Sequence, residues 1–170
     1  MAKVVTYSER SRYLLKRTLV VSRGVYFLGS GLHSQCPICG QPVEQGDLHE
    51  ALITRGDTGG QEYQYLIYSP HNCVLRHDVC PEIATALQQH NGRRYHTAGH
   101  GGKDTFEACA RYIVQWEGLD ATRTWLQQMQ LVFTQVATDA LARFDMIDFA
   151  STDWGLQGLG AQFAVQGVEQ

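Results

Sequence analysis

Apolar and polar positions along the chain change period several times, and each change predicts a different element. From Ser8, read as a helix cap, to about Val21, Leu14, Leu15 and Leu19 recur on an apolar side while Arg12 and Lys16 lie four apart on the other, which predicts an amphipathic helix. Gly24, Gly29 and Gly31 then break that period. Between 36 and 70, two short extended segments, DLHEALIT and YQYLIY, are joined by the turn-rich RGDTGGQE, and the pattern predicts a long hairpin. A helical stretch follows from about Pro81 to Gln89, where proline suits the first turn and Asn91-Gly92 supplies the stop, before the loop RRYHTAGHGG.

The most regular helical period comes after that loop. Asp104 and Glu107 have capping-box spacing, with Asp in place of the usual Ser or Thr, and Phe106, Cys109, Ile113 and Trp116 recur at helical intervals up to Gly118. Asp120 opens a longer helix with Trp125, Met129, Val132, Phe133, Val136 and Ala140 on one side, so a pair of packed helices is predicted. Their aromatic and methionine positions read as core at that spacing rather than as a cofactor pocket. The tail from 151 to 170 is rich in Gly and Gln with scattered Trp154, Leu156, Leu159, Phe163 and Val165. With the helices before it, the tail is a candidate surface for a protein partner or a second copy of the chain.

Composition narrows the class. A chain of 170 residues that is 44% hydrophobic can bury one sizeable core. It has no run of about 18 apolar residues, and residues 1–20 lack the apolar stretch and small-residue cleavage site of a signal peptide. The expectation is a cytoplasmic protein with no membrane span. The net charge of −3 is unevenly placed: Lys3, Arg10, Arg12, Lys16, Arg17 and Arg23 face Glu9 alone in residues 1–30, a local +5 that leaves −8 elsewhere. Screening confines such a patch to roughly 8 Å at physiological salt, so it can contact phosphates although the whole chain is acidic. No nucleotide-binding glycine loop or Ser-His-Asp arrangement occurs, which disfavours nucleotide-dependent phosphoryl transfer and acyl transfer.

Five cysteines, an odd number without secretory context, point to reduced thiols or a metal. CPIC, residues 36 to 39, places two thiolates on a tight knuckle, and HDVC, residues 77 to 80, repeats the two-residue spacing with an imidazole and a thiolate. Cys36, Cys39, His77 and Cys80 would complete a closed tetrahedral zinc shell, which is structural because no position is left for substrate. The 37 residues between the knuckles are enough to enclose the hairpin. Cys73 and Cys109 stand at apolar periodic positions and read as small packed hydrophobes. His33, His90, His96 and His100 read as surface or loop residues.

Knuckle, strand with a histidine, second strand, asparagine, second knuckle five residues after that asparagine, then a helix: this order resembles the HNH endonuclease family with its ββα-metal fold. NCVLRHDVC keeps the order with His77 where a cysteine is more usual, and LHE followed by TRGD resembles small HNH-type proteins of phage and prophage genomes. The likeness spans roughly 30 to 90. It implies hydrolysis of DNA phosphodiester bonds assisted by magnesium or another divalent metal, in which a strand histidine acts as general base and the asparagine orients it. His49 matches the base and Asn72 the orienting amide. An imidazole titrates near neutrality, which suits proton abstraction.

Two positions depart from the family pattern. Leu48 precedes His49 where many members have Asp or His, so either His49 is the base or it is itself a metal ligand with Glu50 as the base. Pro81 stands where the family usually has a metal-binding histidine, and Asp47, His71 or Glu82 would have to supply the missing oxygen or nitrogen ligand. Arg10, Arg12, Lys16, Arg17, Arg55 and Arg76 are the candidate nucleic-acid contacts.

The expected architecture is therefore an α+β protein. Its parts are an N-terminal basic helix (1–30), a zinc-stapled ββα module (31–92), a helical hairpin (103–150) and the tail (151–170). The expected function is a metal-dependent DNA endonuclease with a structural zinc. The alternative is an inactive zinc-stabilised subunit for nucleic-acid binding or assembly that retains the same scaffold.

Overall fold

Thr6 begins the first helix. In the computed structural model, which describes residues 5–23, 26–28, 31–37, 42–43, 47–59, 62–76 and 103–150, helix α1 spans Tyr7–Ser22. The Glu9 N–H donates to Thr6 Oγ1 at 3.2 Å and the Thr6 N–H donates to Glu9 Oε2 at 3.0 Å, a reciprocal capping box. The start lies before the expected Ser8 because Thr6 has a carboxylate three residues on, whereas Ser8 has Ser11, whose hydroxyl turns back to the Tyr7 carbonyl. Leu15 and Leu19, one turn apart, are buried, while Leu14, about 100° round the helix, faces solvent.

Three strands follow, β1 (Tyr26–Leu28), β2 (Gly31–Gln35) and β3 (Pro42–Val43), forming an antiparallel sheet in that order. A separate antiparallel pair joins β4 (Asp47–Glu50) to β5 (Cys73–Arg76), with Leu48 opposite Leu75, His49 opposite Val74 and Glu50 opposite Cys73. The expected hairpin is corrected here. Its first segment contains β4, but the Tyr-rich segment forms a short 3-10 helix at Gln64–Ile67, and the partner strand is CVLR. Two physical reasons account for the exchange. Cys73, Val74, Leu75 and Arg76 are all buried, the continuous run of a strand covered on both faces. Pro70 would remove a ladder donor from any strand continuing out of the Tyr-rich segment.

The C-terminal part holds three helices where two were expected. Helix α2, Lys103–Glu117, buries Phe106, Cys109, Ala110 and Ile113, as the period predicts, although Trp116 remains 40% exposed beside Tyr112. Gly118, at φ +90°, ends α2 and opens α3, Leu119–Gln130. The long second helix breaks at Leu131–Phe133, and α4 runs over Thr134–Asp145. Breaking there leaves Leu131 86% exposed but returns Phe133, Ala137, Ala140 and Phe144 to the core with Trp125, Leu126 and Met129.

Helix α1 lies against β2, β5 and the 3-10 helix, and α2 contacts β5 and α3. One arginine ties these parts together. Arg23, 2% exposed at the C-cap of α1, donates to the carbonyls of Cys73 and Pro70 and pairs with Glu117 at 2.8 Å. The molecule is thus mixed α+β, and among the described residues no helix is long and apolar enough to cross a membrane. The expected helix over 81–89 and the 151–170 tail lie outside the described residues.

Candidate functional site

Asn72 sits at the entrance to β5, fully buried. Its side-chain oxygen accepts from the N–H groups of Leu52 at 2.9 Å and Ile53 at 2.8 Å, and its amide nitrogen donates to the carbonyls of Ile53 and Ile67, both at 2.9 Å. Its backbone carbonyl accepts from Ala51 at 2.7 Å. A primary amide offers two donors and two acceptor positions, so all four are in use. Asn72 therefore does not hold a neighbouring imidazole directly. It clamps the segment that leaves β4 against the start of β5 and the 3-10 helix.

His49 and Glu50 occupy the last two positions of β4 but have different surroundings. His49, opposite Val74, is 5% exposed. Glu50 closes an ion pair across to α1, with Arg12 Nε at 3.3 Å from Oε1, although neither atom has hydrogen-bond alignment. Arg12 also lies over the Tyr68 ring, 5.7 Å from its centroid. Burial raises the pKa of Tyr68, and the Glu50 charge raises it further. Arg12, expected on a solvated basic face, is thus folded onto the candidate site. Arg10, Lys16 and Arg17 do face solvent.

Glu50 lines a cleft of about 530 Å³ together with Ala51, Leu52, Thr54, Arg55, Gly56, Asp57 and Arg143. The TRGD stretch forms its rim as a tight turn, in which Thr54 Oγ1 donates to Asp57 Oδ2 at 2.6 Å and accepts from the Asp57 N–H at 3.2 Å. Arg55 is exposed on that turn. Arg143 comes from α4, and its guanidinium lies 4.0 Å above the Phe106 ring. Sequence reasoning missed Arg143. A single arginine in the last turn of a helix carries no local sign of a partner some ninety positions earlier in the chain.

The remaining candidates are dispersed. His71 turns toward α3, with Nδ1 3.2 Å from Thr122 Oγ1 and its ring stacked on Trp125, and it does not line the Glu50 cleft. Burial lowers the His71 pKa, partly offset by the Glu117 carboxylate. Arg76 is buried on β5 opposite Asp47. The side chain of Asp47 and all of Glu82 lie outside the described residues.

Cys36, the first knuckle position, is buried just after β2 and is in no disulfide, which fits a structural ligand. Cys39, His77 and Cys80 lie outside the described residues, and among the described residues no three His, Cys, Asp or Glu side chains gather. Cys73 and Cys109 are both fully buried free thiols. Burial pushes the Cys109 thiol up to about 12, with Cys36 adding to the rise, and raises the Cys73 thiol as well. Such thiols are packing groups rather than nucleophiles.

Compared with family models, curated proteins and solved structures, the chain matches none. The functional reading rests on its own residues.

Proposed function

We propose that this chain is an HNH-type, metal-dependent endonuclease that hydrolyses DNA phosphodiester bonds and carries a structural zinc on Cys36, Cys39, His77 and Cys80. One observation carries the reading most: the β4–β5 pair brings His49 and Glu50 beside Asn72, the residue before β5, and Glu50 lines an open cleft. Asn72 positions the end of β4 by its four backbone hydrogen bonds. The proton of an attacking water passes to His49 or to Glu50. Lining the cleft favours Glu50 for that step, with buried His49 then turned to holding the ion. Asp47 and Glu82 are the further candidate metal ligands, whereas His71 is engaged with Thr122. A divalent metal such as magnesium, when bound, would stabilise negative charge on the phosphate and the leaving oxygen.

A second reading, an inactive zinc-stabilised subunit for nucleic-acid binding or assembly, draws support from Pro81 in the place of the usual metal-binding histidine and from the burial of His49. Plasmid nicking with magnesium, manganese or nickel separates the two, run on the wild type, His49→Ala and Glu50→Gln with zinc content measured on each. Metal-dependent nicking that disappears in either variant while zinc is retained is the expected result. A folded, zinc-loaded protein that nicks under no ion would overturn the nuclease and leave the binding subunit.

A further inference from the structure

The cleft beside Glu50 is built from two parts of the chain that the sequence reading kept separate, the TRGD turn and α4. Its charges do not cancel. Of the two lining carboxylates, Glu50 is ion-paired with Arg12 and Asp57 accepts a hydrogen bond from Thr54 within its own turn. Arg55 and Arg143, the two lining guanidiniums, have no ion-pair partner among the described residues. Arg143 is held in place by its stack on Phe106, so its position is set by packing and not by an anion of the protein. With Arg12 counted against Glu50, and Asp57 against one of the two lining arginines, the cleft keeps one excess positive charge, with two guanidiniums lining a single cavity. Arginine forks suit the oxygens of a phosphate. Arg143 also lines a mainly apolar hollow of about 310 Å³ with Phe106, Met146, Ile147 and Glu107, the last paired with Arg111, and its apolar side chains offer a wall for the sugar attached to such a phosphate.

We propose that this cleft is a phosphate subsite for a nucleic-acid backbone, with Arg55 and Arg143 on either side of one phosphodiester, so that α4 contributes to substrate binding. The inference rests on the nucleic-acid reading and adds to it a residue outside the ββα module. The phosphate held there lies next to Glu50, which places the bound strand along the end of β4.

Fluorescence anisotropy with a labelled duplex oligonucleotide, repeated over a series of salt concentrations, tests it. Arg143→Gln and Arg55→Gln should each weaken binding and reduce the slope of log K against log salt by about 1, the signature of one lost phosphate contact. Arg143→Lys should keep the slope. Arg123→Gln, which removes a guanidinium already paired with Asp145 at 2.9 Å, should also keep it. Arg55 lies exposed on a turn, so its variant remains informative if loss of the Phe106 stack unfolds Arg143→Gln. Wild-type binding with unchanged slopes in the folded Gln variants overturns the subsite, as does an equal fall in Arg123→Gln. Slopes that fall in a protein that never nicks plasmid support the subsite while the nuclease reading fails. Absence of oligonucleotide binding in the wild type overturns both.

Discussion

The Asn72 carboxamide pairs with both sides of the Ile53 peptide, accepting from its N–H at 2.8 Å and donating to its C=O at 2.9 Å. A side chain here does what a neighbouring strand would do, and it does so where β4 has ended and no strand is available. Asn72→Ala would leave the N–H groups of Leu52 and Ile53 and the carbonyls of Ile53 and Ile67 without that partner in the core. Unsatisfied buried groups cost about 1–3 kcal/mol each before relaxation, so a loss of about 3–4 kcal/mol is expected in urea denaturation. Asn72→Asp should be at least as damaging at pH 7, because it sets a carboxylate oxygen against two carbonyls. A loss under about 1 kcal/mol would show that the clamp is dispensable.

Arg23 and Glu117 form a second long-range tie, between the end of α1 and the end of α2. Glu117→Gln removes the charge that compensates a guanidinium buried to 2% exposure. The expected cost is about 2 kcal/mol, below the range for a fully buried pair because Glu117 keeps some contact with water. Arg23→Met should cost more, since the carbonyls of Pro70 and Cys73 lose their donor as well. The double variant should be less destabilised than the sum of the two, with a coupling of about 1 kcal/mol in a double-mutant cycle; strict additivity would mean that the pair is only a neighbour contact.

His71 gives the fold a dependence on pH with a defined sign. Its folded pKa lies below the ordinary histidine value, chiefly through burial, so the unfolded chain takes up a proton at higher pH than the folded one. The stability associated with neutral His71 is present above the ordinary value of about 6.5 and is lost as the pH falls below it toward the folded pKa. His71→Phe keeps an aromatic ring on Trp125 and removes the titration. The difference in stability between wild type and His71→Phe should therefore shift against the wild type between pH 7.5 and 5.5. A constant difference over that range would mean that His71 binds its proton equally well folded and unfolded.

Helical periods were legible because they are local. Phe106, Cys109 and Ile113 announce α2 by spacing alone, and burial follows that spacing. The Tyr63 to Tyr68 stretch was not legible, since a short run rich in aromatic and aliphatic residues fits a strand as well as a 3-10 turn, and only the competing CVLR run decides between them. The break at Leu131 depends on whether Phe133 and Phe144 can reach Trp125 and Met129 together, a tertiary question with no signature in the residues at the break. At the site, His49, Glu50 and Asn72 could be singled out from one short span, but the pairing of Glu50 with Arg12 and the arrival of Arg143 join distant parts of the chain. Contacts of that kind are set by packing of whole elements, which spacing does not encode.

Cys36 and Cys109 provide the last test, because both are buried cysteines outside any disulfide and only one is assigned to zinc. If Cys36 belongs to a four-ligand shell, Cys36→Ser should lower the zinc content and destabilise the fold, since metal binding supplies much of the stability of a small module. Cys109→Ala removes only a packed sulfur from the face of α2 and should retain zinc at a cost of about 1 kcal/mol. A strong chelator should reproduce the Cys36→Ser state in the wild type and change that variant little. Equal zinc in the wild type and Cys36→Ser would remove Cys36 from the shell. Zinc lost in Cys109→Ala instead would move the ligand role to α2, and with it the boundary between the zinc module and the C-terminal helices.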